Sequence, residues 1–524
     1  MKKISALSVV AAVALATPGF TQSPANVVIT DRAAARFLDQ ATWGPTPAAI
    51  AQLQQIGIDN WLAQQFSLNT SDLPDQPILN SSGMTNTDLR PVQSAFFQNA
   101  VTGQDQLRQR VAFALSEIWV ISAQSGVNAA YAYPPYWRIF RDQAFGNYRD
   151  LIKAVTLNPG MGRYLNMANN NKANPSKGTA ANENYARELM QLFTLGLTQL
   201  NPDGSPVLDQ NQNPVPTYNQ SVVTNMAKLL TGWTYPTAPN ATPKTNNPAY
   251  FFGQMFAVET EHDTSAKTIF GNIAIRAGQS AEQDLESLLD ALMDQPTMAP
   301  FISKQLIQHL ITSNPSPAYI ARVSQVFLNN GFGQAGDLKA VITAILKDPE
   351  ARAGDDPGAT VDPNFGHLRE PVLFMADILR GLNASLSAQS AIYNDTTAMG
   401  QDLFYAPSVF SYFSPQSRTE KGLLGPEFQI YSTQTAAERA DIVNAAIFGA
   451  LDKGTTIDLT PFIQNAGTVA SLMDYISYVF LHHSMSSQLE QAAASAANAV
   501  TTPKARAQVA LYVVLTSGEY QIIQ

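Results

Sequence analysis

The sequence predicts a mainly α-helical protein: one large multi-helix domain or two fused helical lobes, with a small β-hairpin insertion near residues 198–218. Three observations carry that expectation. Apolar residues recur at helical spacing in most readable segments, no series of alternating strands occurs, and one stretch concentrates hairpin turn chemistry.

The elements follow in order. Asp31–Gln40 (DRAAARFLDQ) offers an Asp N-cap before Ala34, Phe37 and Leu38. Gln106–Ile121 sets Leu107, Val111, Leu115 and Ile118 on one stripe. Comparable patterns span Asn182–Leu195, Gln220–Leu230, Ala281–Met293, Pro300–Ile311, Pro317–Leu328 and Asp337–Leu346. They resume at Leu368–Leu382, Ala437–Leu451, Gly467–Leu481 and Pro503–Leu515. The exception is Thr198–Tyr218, where Asn201-Pro202-Asp203-Gly204 and Asp209–Asn213 are turn clusters around short apolar pieces. Glycine supplies positive φ there, and Asn and Asp accept tight bends. Such an excursion is a functional β-tongue or a tolerated insertion. It lacks the D-x-[DN]-x-[DN]-G order of a Ca²⁺ loop.

Composition bounds the function. Of 524 residues, 45% are apolar and 14% charged, against about 25% charged in an average domain. A disordered chain is excluded by that balance. The net charge of −9 offers no general nucleic-acid footprint. With no cysteine there is no disulfide, thiolate metal site or Cys nucleophile. G-x-S-x-G, Walker and H-E-x-x-H motifs are absent and no phosphate-cradling G-x-G-x-x-G follows a strand, which disfavours α/β-hydrolases, P-loop enzymes, dinucleotide binders and zincins.

Residues 1–22 read as a signal peptide. Lys2 and Lys3 precede the apolar run Ile4–Ala16, and Ala14-Leu15-Ala16 has the small-x-small pattern of a cleavage site, placed between about 16 and 23. The expected location is the periplasm or cell exterior. The apolar run is too short for a stable membrane span, and no later anchor is expected.

Four clusters have chemical potential. Asn182, Glu183, Asn184, Arg187 and Glu188 place Glu183/Arg187 and Asn184/Glu188 at i, i+4 on adjoining stripes. They make either a structural ion pair near a helix start, or a general base or metal ligand (Glu183, Glu188) with Arg187 holding an anionic or sugar oxygen. His262 and Asp263, followed by Lys267, form an imidazole–carboxylate pair or a loop-fixing hydrogen bond. Arg369-Glu370-Pro371 has the form of a helix start. Gln401 and Tyr405 sit in a turn rich in aromatic residues, and Trp233 is one of several rings able to stack on a sugar. The catalytic candidates are therefore Glu183, Arg187, Glu188, His262 and Asp263. The ligand-binding candidates are Asn182, Asn184, Trp233, Lys267, Arg369 and Gln401. No cofactor is evident; a divalent metal is the open alternative, with hard or imidazole donors only.

The run Asn182–Gly196 (NENYARELMQLFTLG) resembles the signature of the bacterial family called domain of unknown function 1800. So do Ala35-Arg36-Phe37-Leu38 with Ala41–Thr46, Tyr218-Asn219-Gln220, Thr231-Gly232-Trp233 and His262-Asp263 with Lys267-Thr268 and Gly271. Arg369-Glu370-Pro371, Gly400-Gln401 with Pro407, and Leu515–Gln521 complete the order over residues 30–522. The resemblance implies a large, exported, mostly helical protein without an established activity. It also implies a secreted partner of the domain of unknown function 1501 family, which looks like a sulfatase or alkaline phosphatase relative. This chain departs from the pattern at Gln191, where relatives often carry Glu, and at Leu115–Trp119, which lacks histidines that many relatives have.

Two functions follow as expectations. One is an envelope or extracellular binding and assembly protein working with a secreted partner. The other is a hydrolase or other enzyme acting on a polysaccharide or exported polymer through a Glu/Arg/His/Asp cleft.

Overall fold

A computed structural model describes residues 29–524 apart from 357 and 360; the expected signal peptide lies outside the described residues. The chain is mainly α, with four two-stranded antiparallel ribbons. Buried apolar residues from Ala34 to Ile523 form one continuous core. Within it, Trp43, Phe113 and Trp137 surround Phe96 at ring separations of 5.3–5.8 Å, distances at which offset and edge contacts are favourable. Among the described residues no helix is long and apolar enough to cross a membrane.

Most expected helices form, with shifted ends. Asp31–Ala41 starts one residue earlier in function than expected: Thr30 is its N-cap and accepts from the Ala33 amide. The Gln106–Ile118 helix stops three residues before the expected Ile121, because Trp119 leaves helical ψ and packs its ring 4.3 Å from Phe193. The expected Leu368–Leu382 helix is Pro371–Gly381, with Glu370 in extended N-cap geometry and His367–Leu368 paired to the C-terminal Ile522–Ile523. Proline at the first helical position explains the late start. Helices such as Pro47–Ile56, Arg90–Thr102 and Tyr133–Gln143 were not expected from the periodicity.

Asn182–Leu195 is split. A short α-helix, Asn184–Glu188, runs into a π-helix, Leu189–Thr194. Thr194 Oγ1 donates to the Leu189 carbonyl at 2.7 Å, and the Leu195 amide to the Met190 carbonyl at 2.9 Å. Wide turns of this kind are rare and recur at functional sites.

The insertion forms, with three extended stretches instead of two. Thr198 pairs with Pro216, Leu200 with Pro206, and Leu208 with Pro214. The first bend uses Gly204 at φ +76°; the second places Gln212 at φ +64°, with Asp209 Oδ1 accepting from the Asn211 and Asn213 amides.

Candidate functional site

The Gln106–Ile118 helix buries two charged residues on one face, Arg110 and Glu117, seven residues apart. Two turns of a 3.6-residue helix bring them into line. Arg110 Nη2 donates to the His309 carbonyl at 2.5 Å. That carbonyl sits at the end of the Met298–Leu310 helix, where the last turn has no backbone partner of its own. The His309 ring in turn lies with Nδ1 3.4 Å from Glu117 Oε2.

Glu370 arrives from another direction. It occupies the N-cap of Pro371–Gly381 without using its side chain as the cap. Gln401 does that work: its Oε1 accepts from the Val372 amide at 2.8 Å. This fixes the amide so that Nε2 donates to Glu370 Oε2 at 2.6 Å and to Glu117 Oε1 at 3.2 Å. Burial raises both carboxyls, Glu117 to about 7 and Glu370 well above the usual carboxylate range, where Glu117's charge adds to the effect. Buried like groups of this kind share a proton. Burial pushes His309 down.

Glu117 borders a cavity of about 60 Å³, together with His309, Gln305 and Glu427. A second, of about 40 Å³, touches its other side beneath Tyr133, Tyr136 and Tyr412. Glu427 comes from the Pro426–Ile430 turn, its Oε1 3.2 Å from His367 Nδ1. Glu117 Oε2, Glu427 Oε2 and Gln305 Nε2 are buried without a hydrogen-bond partner around the larger cavity. Unsatisfied buried polar atoms cost free energy, and three around one cavity mark a place built to receive polar groups. Leu192, Gln305, Gln308, Phe410 and Pro415 are shared with a surface cleft of about 450 Å³, which adjoins this cavity. Two strained residues line these cavities, Phe404 at φ +73° in the smaller one and Ser411 at φ +63° in both, as functional loops often do.

The sequence-derived candidates divide among five places. Gln401 belongs to the carboxyl pair. Glu183 and Arg187 form a partly exposed ion pair at 3.1 Å; Gln220 and Thr224 also donate to Glu183, which holds its carboxyl below the usual range. Asn182 Oδ1 accepts from the Asn184 amide, and Glu188 is half-buried, its carboxyl raised by desolvation. His262 is buried between the Thr231 carbonyl, 2.9 Å from Nδ1, and Asp284 Oδ2, 3.1 Å from Nε2. Lys267 donates to the same Asp284 oxygen at 2.7 Å, while Asp263 turns to Ser265. The carboxylate that orients His262 is therefore Asp284, not its neighbour. Trp233 is buried in a two-residue strand. Arg369 is held by Asp39 through two bonds, 2.6 and 2.8 Å, and donates through Nε to the Tyr520 carbonyl. Among the described residues no group of three or more His, Asp or Glu could hold a metal ion.

Sequence reasoning missed Arg110, Glu117, His309, Glu370 and Glu427 as site residues, reading Glu370 only as part of a helix start. Arg110 and Glu117, two charges seven apart on one face of the Gln106–Ile118 helix, were the one local signal. Searches of the curated proteins and of the solved structures return no match. The profile of the family described as "Protein of unknown function (DUF1800)" matches residues 36–522, and the chain belongs to that family.

Proposed function

We propose that this chain is an exported acid–base hydrolase acting on a polysaccharide, with Glu117 as its proton donor. The observation that carries the reading is the Glu117–Glu370 pair: two buried carboxyls tied by one glutamine amide, one of them lining a small cavity that shares wall residues with the surface cleft and poised near neutral pH. A carboxyl near 7 is suited to give and take a proton at working pH. Glu427 Oε2 faces the same cavity, which has room for a water. In this scheme Glu117 protonates the leaving glycosidic oxygen as the C–O bond breaks. The cavity water, losing its proton to Glu427, forms the new C–O bond, and solvent exchange resets both carboxyls. Glu370 and Gln401 position Glu117 without touching substrate.

Export rests on Lys2, Lys3 and the apolar run after them, with the periplasm or cell exterior as the place of action. The test is release of new reducing ends from a panel of polysaccharides by the purified chain. Glu117→Gln is expected to abolish release while the fold persists. Release that survives in Glu117→Gln overturns the assignment.

A second reading, binding and assembly with a secreted partner such as a domain of unknown function 1501 protein, draws on Phe332. That ring is 91% exposed on a loop held rigid by Asn329 and Asn330 side chains. Loss of partner capture in Phe332→Ser would support it; equal capture would remove its basis.

A further inference from the structure

We propose that the cleft above Glu117 binds an acidic polysaccharide and that Lys304 reads its carboxylate groups. The inference rests on the hydrolase reading for its location and goes beyond it in naming the substrate class. The chain is acidic overall, with a net charge of −9, yet no Asp or Glu lines the 450 Å³ cleft. Its one charged wall residue is Lys304. Burial disfavours the charged form of Lys304, and the positive charge of Arg418 adds to that cost. A partly buried ammonium without a counter-ion is costly, and an incoming anion relieves that cost.

The register of the helix says where that anion sits. Lys304 and Gln308 stand one turn apart on the Met298–Leu310 helix, facing the cleft. Gln305, on the adjoining stripe, lines both the cleft and the Glu117 cavity. One turn is about 5.4 Å of rise, close to the length of one sugar ring. A carboxylate on Lys304 therefore places a neighbouring linkage at the cavity mouth. Anionic groups are kept away from the floor itself, where Glu117 and Glu427 lie. Glutamine amides both donate and accept, as vicinal hydroxyls require, and Phe410 adds an apolar face. This combination favours a sugar chain over an acidic polypeptide.

The experiment measures binding of the full chain to polygalacturonate, to neutral pullulan and to poly-glutamate, at low and physiological salt. Polygalacturonate is expected to bind tightest, with an affinity that falls as salt rises. Lys304→Gln is expected to weaken it about tenfold, and Lys304→Arg to restore most of the loss. Pullulan binding as tightly as polygalacturonate, tighter binding of poly-glutamate, no binding of any of the three, or no effect of Lys304→Gln in a folded variant overturns the proposal. Lys304-dependent binding without cleavage supports the acidic ligand and counts against the hydrolase reading. Glu117-dependent cleavage of pullulan does the reverse.

Discussion

Gln401 caps the Val372 amide at 2.8 Å, and the same side chain thereby holds two carboxyls that lie 284 and 31 residues away in sequence. The helix that starts at Pro371 and the protonation of Glu117 are thus coupled through one amide. Gln401→Leu should lose the cap and both donor contacts, at roughly 2–4 kcal/mol of stability. Chemical denaturation at pH 6 checks this; a loss under about 1 kcal/mol would show that the amide is dispensable.

Stability should fall with rising pH because of the Glu117 carboxyl. Its folded value, about 7, lies above the usual 4.5, so the neutral form is the one the fold favours. That contribution is fully present below about pH 4.5 and is lost as pH rises through 7. The loss is on the order of 3 kcal/mol by linkage. Glu117→Gln should flatten this slope, so that the variant gains on the parent above pH 8. Parallel slopes for the two proteins would contradict the shift.

Arg110 supplies the positive charge nearest the carboxyl pair and satisfies the end of the His309 helix. Arg110→Met should destabilise the fold by about 3–5 kcal/mol, the usual result of breaking a buried charge arrangement from one side. The residual folded protein should show its alkaline limb of activity displaced to higher pH, since the Arg110 charge lowers both Glu117 and Glu370. An unmoved limb would separate Arg110 from the site.

His262 and Lys267 should behave as structural residues around Asp284. Asp284→Asn removes the one carboxylate facing both, and a loss of about 3–5 kcal/mol is expected. His262→Gln should leave turnover per folded molecule within about twofold. A large fall in turnover at unchanged stability would return His262 to the chemistry.

The same physics explains what was legible in the sequence. Helices such as Ala281–Met293 and Pro317–Leu328 formed where their periodicity and caps agreed, with Ser280 and Ser316 as N-caps. The π-turn at Leu189–Thr194 was hidden because its apolar spacing also reads as α. Gln401 was visible through its turn, but its role depends on Glu117 and Glu370, which only tertiary packing delivers. Glu427 is reached across 60 residues from His367 and carries no local pattern. His262 and Asp263 looked paired because they are neighbours, whereas backbone direction gives Asp263 to Ser265 and leaves the imidazole to Asp284.

The most direct measurement is the infrared carboxyl band of the protein followed from pH 5 to pH 9, with Glu117→Gln as the reference. The account predicts a protonated buried carboxyl that titrates near pH 7 in the parent and is missing from the variant, with a second, from Glu370, persisting to higher pH. A spectrum in which no carboxyl remains protonated above pH 6 would contradict a proton shared by Glu117 and Glu370, and with it the acid–base function.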